Sequence, residues 1–141
     1  MNLINKISIG DFYSIKIWWS KGIPHVEKPS HEWFDYVTST ENVVCLVLKL
    51  DGEIKSYCQA DIVGKCASIS IVSNPNSLRK GFADKLLKHL EKVLKLRDVE
   101  TIEASIELGN HASHSLAQKI GFTRASSSNS VCEFMDYQKA I

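Results

Sequence analysis

The sequence predicts an α/β (α+β) fold with a mixed, mostly antiparallel central sheet and helices on both of its faces. Three observations carry this. The middle of the chain alternates with period two across three consecutive segments joined by glycine-bearing turns. The segment after Gly81 switches to a helical period, with apolar residues at spacings of four, five, eight, eleven and twelve from Phe82. A further strand, a helix and a final hairpin follow, which makes a mixed sheet with helices on both faces.

Leu3 to Ser8 alternates and reads as the first strand. Asp11 then caps a helix that places Phe12, Ile15 and Trp19 on one face, and Gly22 with Pro24 stops it. Ser30, after Pro29, caps a second short helix carrying Trp33, Phe34 and Val37. Val43 to Leu50 is rich in β-branched and apolar residues, as a central strand is. Asp51-Gly52 is a strong hairpin turn, Ile54 to Val63 returns antiparallel, and Cys66 to Ser73 follows after the Gly64-Lys65 turn. Glu100 to Leu108 is another strand. Asn110 to Ile120 is a helix closed by Gly121, with Phe122 folding back on its last turn. Thr123 to Ser126 and Val131 to Gln138 make a final hairpin around Ser127, Ser128 and Asn129. The order is β-α-α-β-β-β-α-β-α-β-β, in one domain over residues 1–141.

The chain has 141 residues, 44% apolar and 23% charged, with a formal net charge of +1. That length allows a real core, and that charge gives no drive toward nucleic acid or an anionic membrane. No apolar run approaches the roughly 20 residues of a membrane helix, and no secretory leader is visible. Lys85, Lys88, Lys92 and Lys95 lie mostly off the apolar stripe of their helix and read as a solvated face, interrupted by Asp84 and Glu91. Cys45, Cys58, Cys66 and Cys132 form no C-x-x-C pair and read as thiols in a reducing, cytoplasmic compartment. His111 and His114 share a helix three residues apart, without further ligands at metal-binding spacing, so no metal is expected. The common hydrolase elbow and NTPase loop motifs are missing.

The most informative stretch runs from Pro75 to Ala83, Pro-Asn-Ser-Leu-Arg-Lys-Gly-Phe-Ala, between a strand and an amphipathic helix. A helix start reached through a glycine-bearing turn presents orphan N–H groups and the positive end of the helix dipole. Arg79 and Lys80 add fixed charge. The expected ligand is a phosphate, as in the diphosphate of a cofactor.

In element order and in two motifs the chain resembles the GNAT superfamily of acetyl-CoA-dependent N-acetyltransferases. Pro75, Gly81 and Ala83 match the proline, first glycine and following small residue of its cofactor motif. Asn110, Ser113 and the closing Gly121-Phe122 match a second motif, in the form found in the Rim-type ribosomal-protein and small-amine acetyltransferases. The resemblance implies a splay between the fourth and fifth strands, Ile69–Ser73 and Glu103–Leu108, that receives the pantetheine arm of acetyl-CoA. It implies cofactor contacts from Ile71, Ser73, Leu78, Arg79, Lys80, Gly81, Phe82, Ala83, Asn110 and Ser113. Ser113 resembles the serine near the thiol, and Glu103 and Glu133 are equal candidates for the base. Glu133 stands four before Tyr137, a spacing like a late acidic-x-x-x-Tyr pattern in those relatives.

Two positions depart from the family pattern. Leu78 replaces the usual Arg or Gln, and Ala117 stands where many relatives have a tyrosine that protonates the leaving thiolate. The implied activity is transfer of acetyl from acetyl-CoA to a primary amine, a protein N-terminus or a small molecule, by direct attack, in a monomer or homodimer. The two departures keep open an alternative: a silent acyl-CoA-binding or sensor module on the same fold.

Overall fold

The computed structural model describes residues 2–23, 26–78, 80–125 and 134–141. Pro24, Arg79, Cys132, Glu133 and the tip of the final hairpin lie outside the described residues. Seven strands are seen: β1 (Asn2–Lys6), β2 (Val43–Leu50), β3 (Glu53–Val63), β4 (Cys66–Ser73), β5 (Thr101–Glu107), β6 (Thr123–Arg124) and β7 (Phe134–Ala140). The helices are α1 (Ile9–Lys16), α2 (His31–Ser39), α3 (Phe82–Lys95) and α4 (His111–Lys119), and 3-10 turns cover Ile17–Lys21 and Pro75–Ser77. The described strands form one sheet in the order β1-β2-β3-β4-β5-β7-β6. All neighbours are antiparallel except β4 and β5.

Local chemistry explains most boundaries. Asp51 and Gly52 both adopt positive φ, 53° and 83°, the pair of conformations a two-residue hairpin needs. A register shift at Leu48/Lys49 bends β2 beside that turn. The start of α1 differs from the expectation. Ser8, not the end of a strand, is the N-cap, and Asp11 sits three residues in. The Ser8 hydroxyl accepts from the Asp11 amide at 3.2 Å, and Asp11 Oδ2 accepts from the Ser8 amide at 3.0 Å. This is a capping box, in which a pair of orphan donors is satisfied reciprocally. Asp11 also meets Lys49 Nζ at 2.7 Å and so ties α1 to β2. Burial of its carboxyl acts upward, but Lys49 and Ser8 outweigh it and hold the pKa below the ordinary value.

Two apolar clusters lie on opposite faces of the sheet. On one, Leu86, Leu87, Leu90 and Leu94 of α3 pack with Ala117 and Phe122 against Leu46, Leu48, Cys58, Ala60, Ala67 and Ile102. On the other, Phe12, Ile15, Trp18 and Val37 cover Cys45, Val47, Tyr57 and Val72. The tryptophans thus belong to packing: Trp18 is buried, and the Trp33 indole donates to Gln59 Oε1 at 2.7 Å. Cys45 and Cys58 are buried on opposite faces, which explains why these adjacent-strand thiols form no disulfide. The lysines of α3 named above are exposed, as a solvated face requires.

The second cover is incomplete. Helices α1 and α2 lie over β2 and β3, while the same side of β4, β5 and β7 carries Ser68, Ser70, Glu103, Ser105 and Asp136. No described helix is long and apolar enough to cross a membrane.

Candidate active site

The site begins where β4 and β5 part. They pair in parallel only through Cys66–Thr101, Ala67–Ile102 and Ser68–Glu103. Beyond Ser68 the two strands diverge, so the ladder groups facing the gap are left without the opposite strand. β5 is fully engaged on its other edge with β7, from Thr101–Ala140 to Glu107–Phe134. The gap is therefore a defined feature of the sheet, open on one side of β5 alone.

A cavity of about 160 Å³ occupies it, lined by Ile69, Ile71, Ala104, Ile106, Leu116 and Ala117 toward α3 and α4, and by Ser70, Ser105 and Glu107 toward the open face. A larger groove of about 490 Å³ continues past Ser73 to the start of α3. The two share Val26, Ile71, Asn110, Ser113 and Leu116, and so form one channel.

The far end of the channel is the strand-to-helix turn. Asn74 fixes it: its amide Nδ2 donates to the Ile54 carbonyl at 3.1 Å, and its Oδ1 accepts from the Asn76 amide at 3.0 Å. Asn74 and Ser77 are buried. Gly81 then adopts φ 82°, where other residues are strained, and opens α3 without a side-chain cap. A Cβ built on Gly81 meets nothing within 4 Å, so the turn faces open space. Uncapped first-turn amides beside Lys80 suit an anion. Leu78, Lys80, Gly81, Phe82 and Ala83 all line this part, with Lys80 and Leu78 exposed.

Helix α4 forms the other wall. Asn110 caps it, its Oδ1 accepting from the Ser113 amide at 3.3 Å. This turns Ser113 into the channel, where it borders both parts. His114 anchors the helix. Its Nε2 lies 2.8 Å from the Glu107 carbonyl, which can only accept, so Nε2 carries the proton. Nδ1 then accepts from the buried Tyr137 hydroxyl, also at 2.8 Å. His111 is exposed, and no cluster of metal-ligating side chains occurs among the described residues.

Ile71, Ser73, Leu78, Lys80, Gly81, Phe82, Ala83, Asn110 and Ser113 thus meet along one channel. Arg79 and Glu133 lie outside the described residues. Glu103 stands apart, on the last paired rung, where its carboxylate accepts from Ser68 Oγ at 3.1 Å in an exposed position. Sequence reasoning passed over Asn74, Ser105 and Asp136. Asn before Pro was a turn signal available for the first. The other two depend on a cross-strand register.

The family model for the acetyltransferase (GNAT) family matches residues 11–122. The chain belongs to that family. No curated protein matches it by sequence. Among solved structures, this acetyltransferase-family chain is similar to the ribosomal-protein-S18-alanine N-acetyltransferase of Escherichia coli, with TM-score 0.77 and 21% identity over 100% of this chain and 93% of that one. The ribosomal-protein-alanine N-acetyltransferase of Brucella melitensis gives TM-score 0.83 and 18% identity over 99% of each chain. The PaiA N-acetyltransferase of Thermoplasma acidophilum, solved with coenzyme A, gives 0.78 and 16% over 100% and 99%. At these identities the likeness is one of fold.

Proposed function

We propose that this GNAT-family protein is an N-acetyltransferase that moves an acetyl group from acetyl-CoA to a primary amine by direct attack, as one cytoplasmic domain. The observation that carries this reading is the continuous channel from the uncapped start of α3 to the gap between β4 and β5. A diphosphate fits the first end and a peptide-like pantetheine arm fits the second. The similar Thermoplasma protein was solved with coenzyme A, which supports the same reading here.

In this mechanism the amides from Arg79 to Ala83 receive the diphosphate, with Lys80 and Arg79 adding charge and Leu78 packing beside it. Main-chain groups of Ile71 and Ser73 pair with the pantetheine amides. An N–H in the gap polarises the thioester carbonyl as negative charge develops there. Asn110 holds Ser113 toward the departing sulfur. Ala117 leaves space beside that sulfur in place of an acid, so Ser113 or water delivers the proton. Glu133 and Glu103 remain candidates for removing the amine proton, although Glu103 sits off the cavity lining. Holding both reactants in the gap supplies much of the rate.

Titration calorimetry with acetyl-CoA and a thiol-release assay over a panel of amines test the proposal. Binding with amine-dependent thiol release is expected. Tight binding without release on any amine favours the silent acyl-CoA module, and no binding removes both.

A further inference from the structure

We propose that Ser105 and Asp136 form the acceptor-amine site, with Ser105 contacting the nitrogen and Asp136, on the next strand, orienting Ser105 and taking the amine proton through it. The assignment rests on the acetyltransferase reading above. Three observations converge on it.

The first is place. Ser105 is two residues past the last β4–β5 pair, and it lines the cavity in the gap. Residues of β5 alternate, with Ile102, Ala104 and Ile106 turned to the apolar cluster under α3 and α4. Ser105 and Glu107 therefore face the other side, where no described helix lies over these strands. An acceptor approaching from there meets the thioester end of the channel without crossing the cofactor's path.

The second is the hydrogen bond. Ser105 pairs with Asp136 across β5 and β7, and Ser105 Oγ donates to Asp136 Oδ1 at 2.6 Å. A hydroxyl whose proton is committed to a carboxylate keeps its lone pairs for a donor in the cavity. An ammonium is such a donor.

The third is charge. By register, this face of β4, β5 and β7 carries Cys66, Ser68, Ser70, Thr101, Glu103, Ser105, Glu107, Asp136 and Gln138. Three are carboxylates, of which Glu103 accepts from Ser68 and Asp136 from Ser105. The mouth thus suits a cationic amine with no carboxylate of its own nearby.

The proton balance is as follows. In place of Glu103 and Glu133, Asp136 takes the amine proton by relay: the bound ammonium gives one proton to Ser105 Oγ as the hydroxyl proton of Ser105 passes to Asp136. The neutral nitrogen bonds to the acetyl carbon and the carbon–sulfur bond breaks. A second nitrogen proton reaches the departing sulfur by way of Ser113 or water, giving the thiol. Asp136 then releases its proton to water.

The test is steady-state kinetics on the full chain with propylamine, putrescine, spermidine and β-alanine, beside acetyl-CoA affinity by calorimetry. With the best of these amines, Ser105→Ala is expected to lower kcat by roughly 10²-fold or more, the usual scale for a lost proton-transfer group. Its acetyl-CoA affinity should stay within about twofold. Ser105→Thr keeps the hydroxyl at a strand position and should retain most of kcat. Asp136→Asn should lower kcat similarly, and the double variant should be no slower than Ser105→Ala, because Asp136 acts through it. β-Alanine should be the poorest acceptor. Wild-type activity with an unimpaired Ser105→Ala variant overturns this assignment alone, as does a double variant much slower than Ser105→Ala. A wild type that binds acetyl-CoA but acetylates none of the four overturns this assignment, and failure across the wider amine panel, peptide N-termini included, overturns the acetyltransferase reading.

Discussion

Replacing Gly81 by aspartate separates two effects that the turn before α3 combines. Gly81 sits at φ 82° with open space where a Cβ would be. Any side chain there costs left-handed strain of about 1–2 kcal/mol, with less for aspartate than for alanine. That cost falls on folding and should appear as a Tm lower by a few degrees. The added carboxylate acts on the ligand instead. At roughly 5 Å, one unit charge opposes another by about 0.8 kcal/mol at a water-like dielectric constant and about 3 kcal/mol at an effective value near 20. A diphosphate carries two such charges, so the loss is at least about tenfold in affinity and reaches well beyond that if water is excluded. Gly81→Ala supplies the strain without the charge. Calorimetry with coenzyme A should rank wild type above Gly81→Ala, and Gly81→Ala at least tenfold above Gly81→Asp. If Gly81→Asp binds within twofold of wild type, or if the alanine variant loses as much, the anion site is not at this turn.

Other expectations follow from particular contacts. Asp11 is held below its ordinary pKa by Lys49 and Ser8 against the opposing effect of burial. Its stabilisation is therefore present above the unfolded carboxyl pKa of about 3.9 and is lost as pH falls through the lower folded value. Asp11→Asn should cost about 1–3 kcal/mol in urea unfolding at neutral pH, and the gap to wild type should close in acid. A constant gap from neutral pH down to strongly acid conditions contradicts this. Ser113→Ala should lower kcat while acetyl-CoA affinity stays within a few-fold, and equal loss of both would make Ser113 structural. Burial pushes the Cys45 thiol up to about 12 and raises Cys58 further, so both should resist a thiol reagent until the chain unfolds. Rapid native labelling of either, read by peptide mass, contradicts the packing.

Much of the fold could be read from local pattern. The bounds of β2 and β4 agree with the expectation residue for residue, and α3 carries the whole apolar period from Phe82, because each has a strong period. The start of α1 at Ser8 differs from the Asp11 cap that the sequence suggests, for a physical reason. Ser8 continues the alternation of β1 as well as it begins a capping box, and only the reciprocal Ser8–Asp11 bonds decide between the two. The continuation of α1 as a 3-10 turn through Lys21 leaves no distinct residue signature. For the site, the residues that share one local segment were legible, and those joined only by the sheet were not. Gly81 and Ser113 announce themselves through a turn and a cap. Ser105 and Asp136 meet because β7 inserts between β5 and β6, a register set by the whole sheet. Glu103 shows the reverse case: its alternation was read correctly, but it falls on the last paired rung and not in the gap.

The most direct test of the central claim is a crystal structure of the chain with acetyl-CoA. The account predicts the diphosphate on the amides before and within the first turn of α3, the pantetheine arm between β4 and β5, and the acetyl carbon on the side of the gap that Ser105 faces. Coenzyme bound elsewhere, with β4 and β5 closed on each other beyond Ser68, would contradict it.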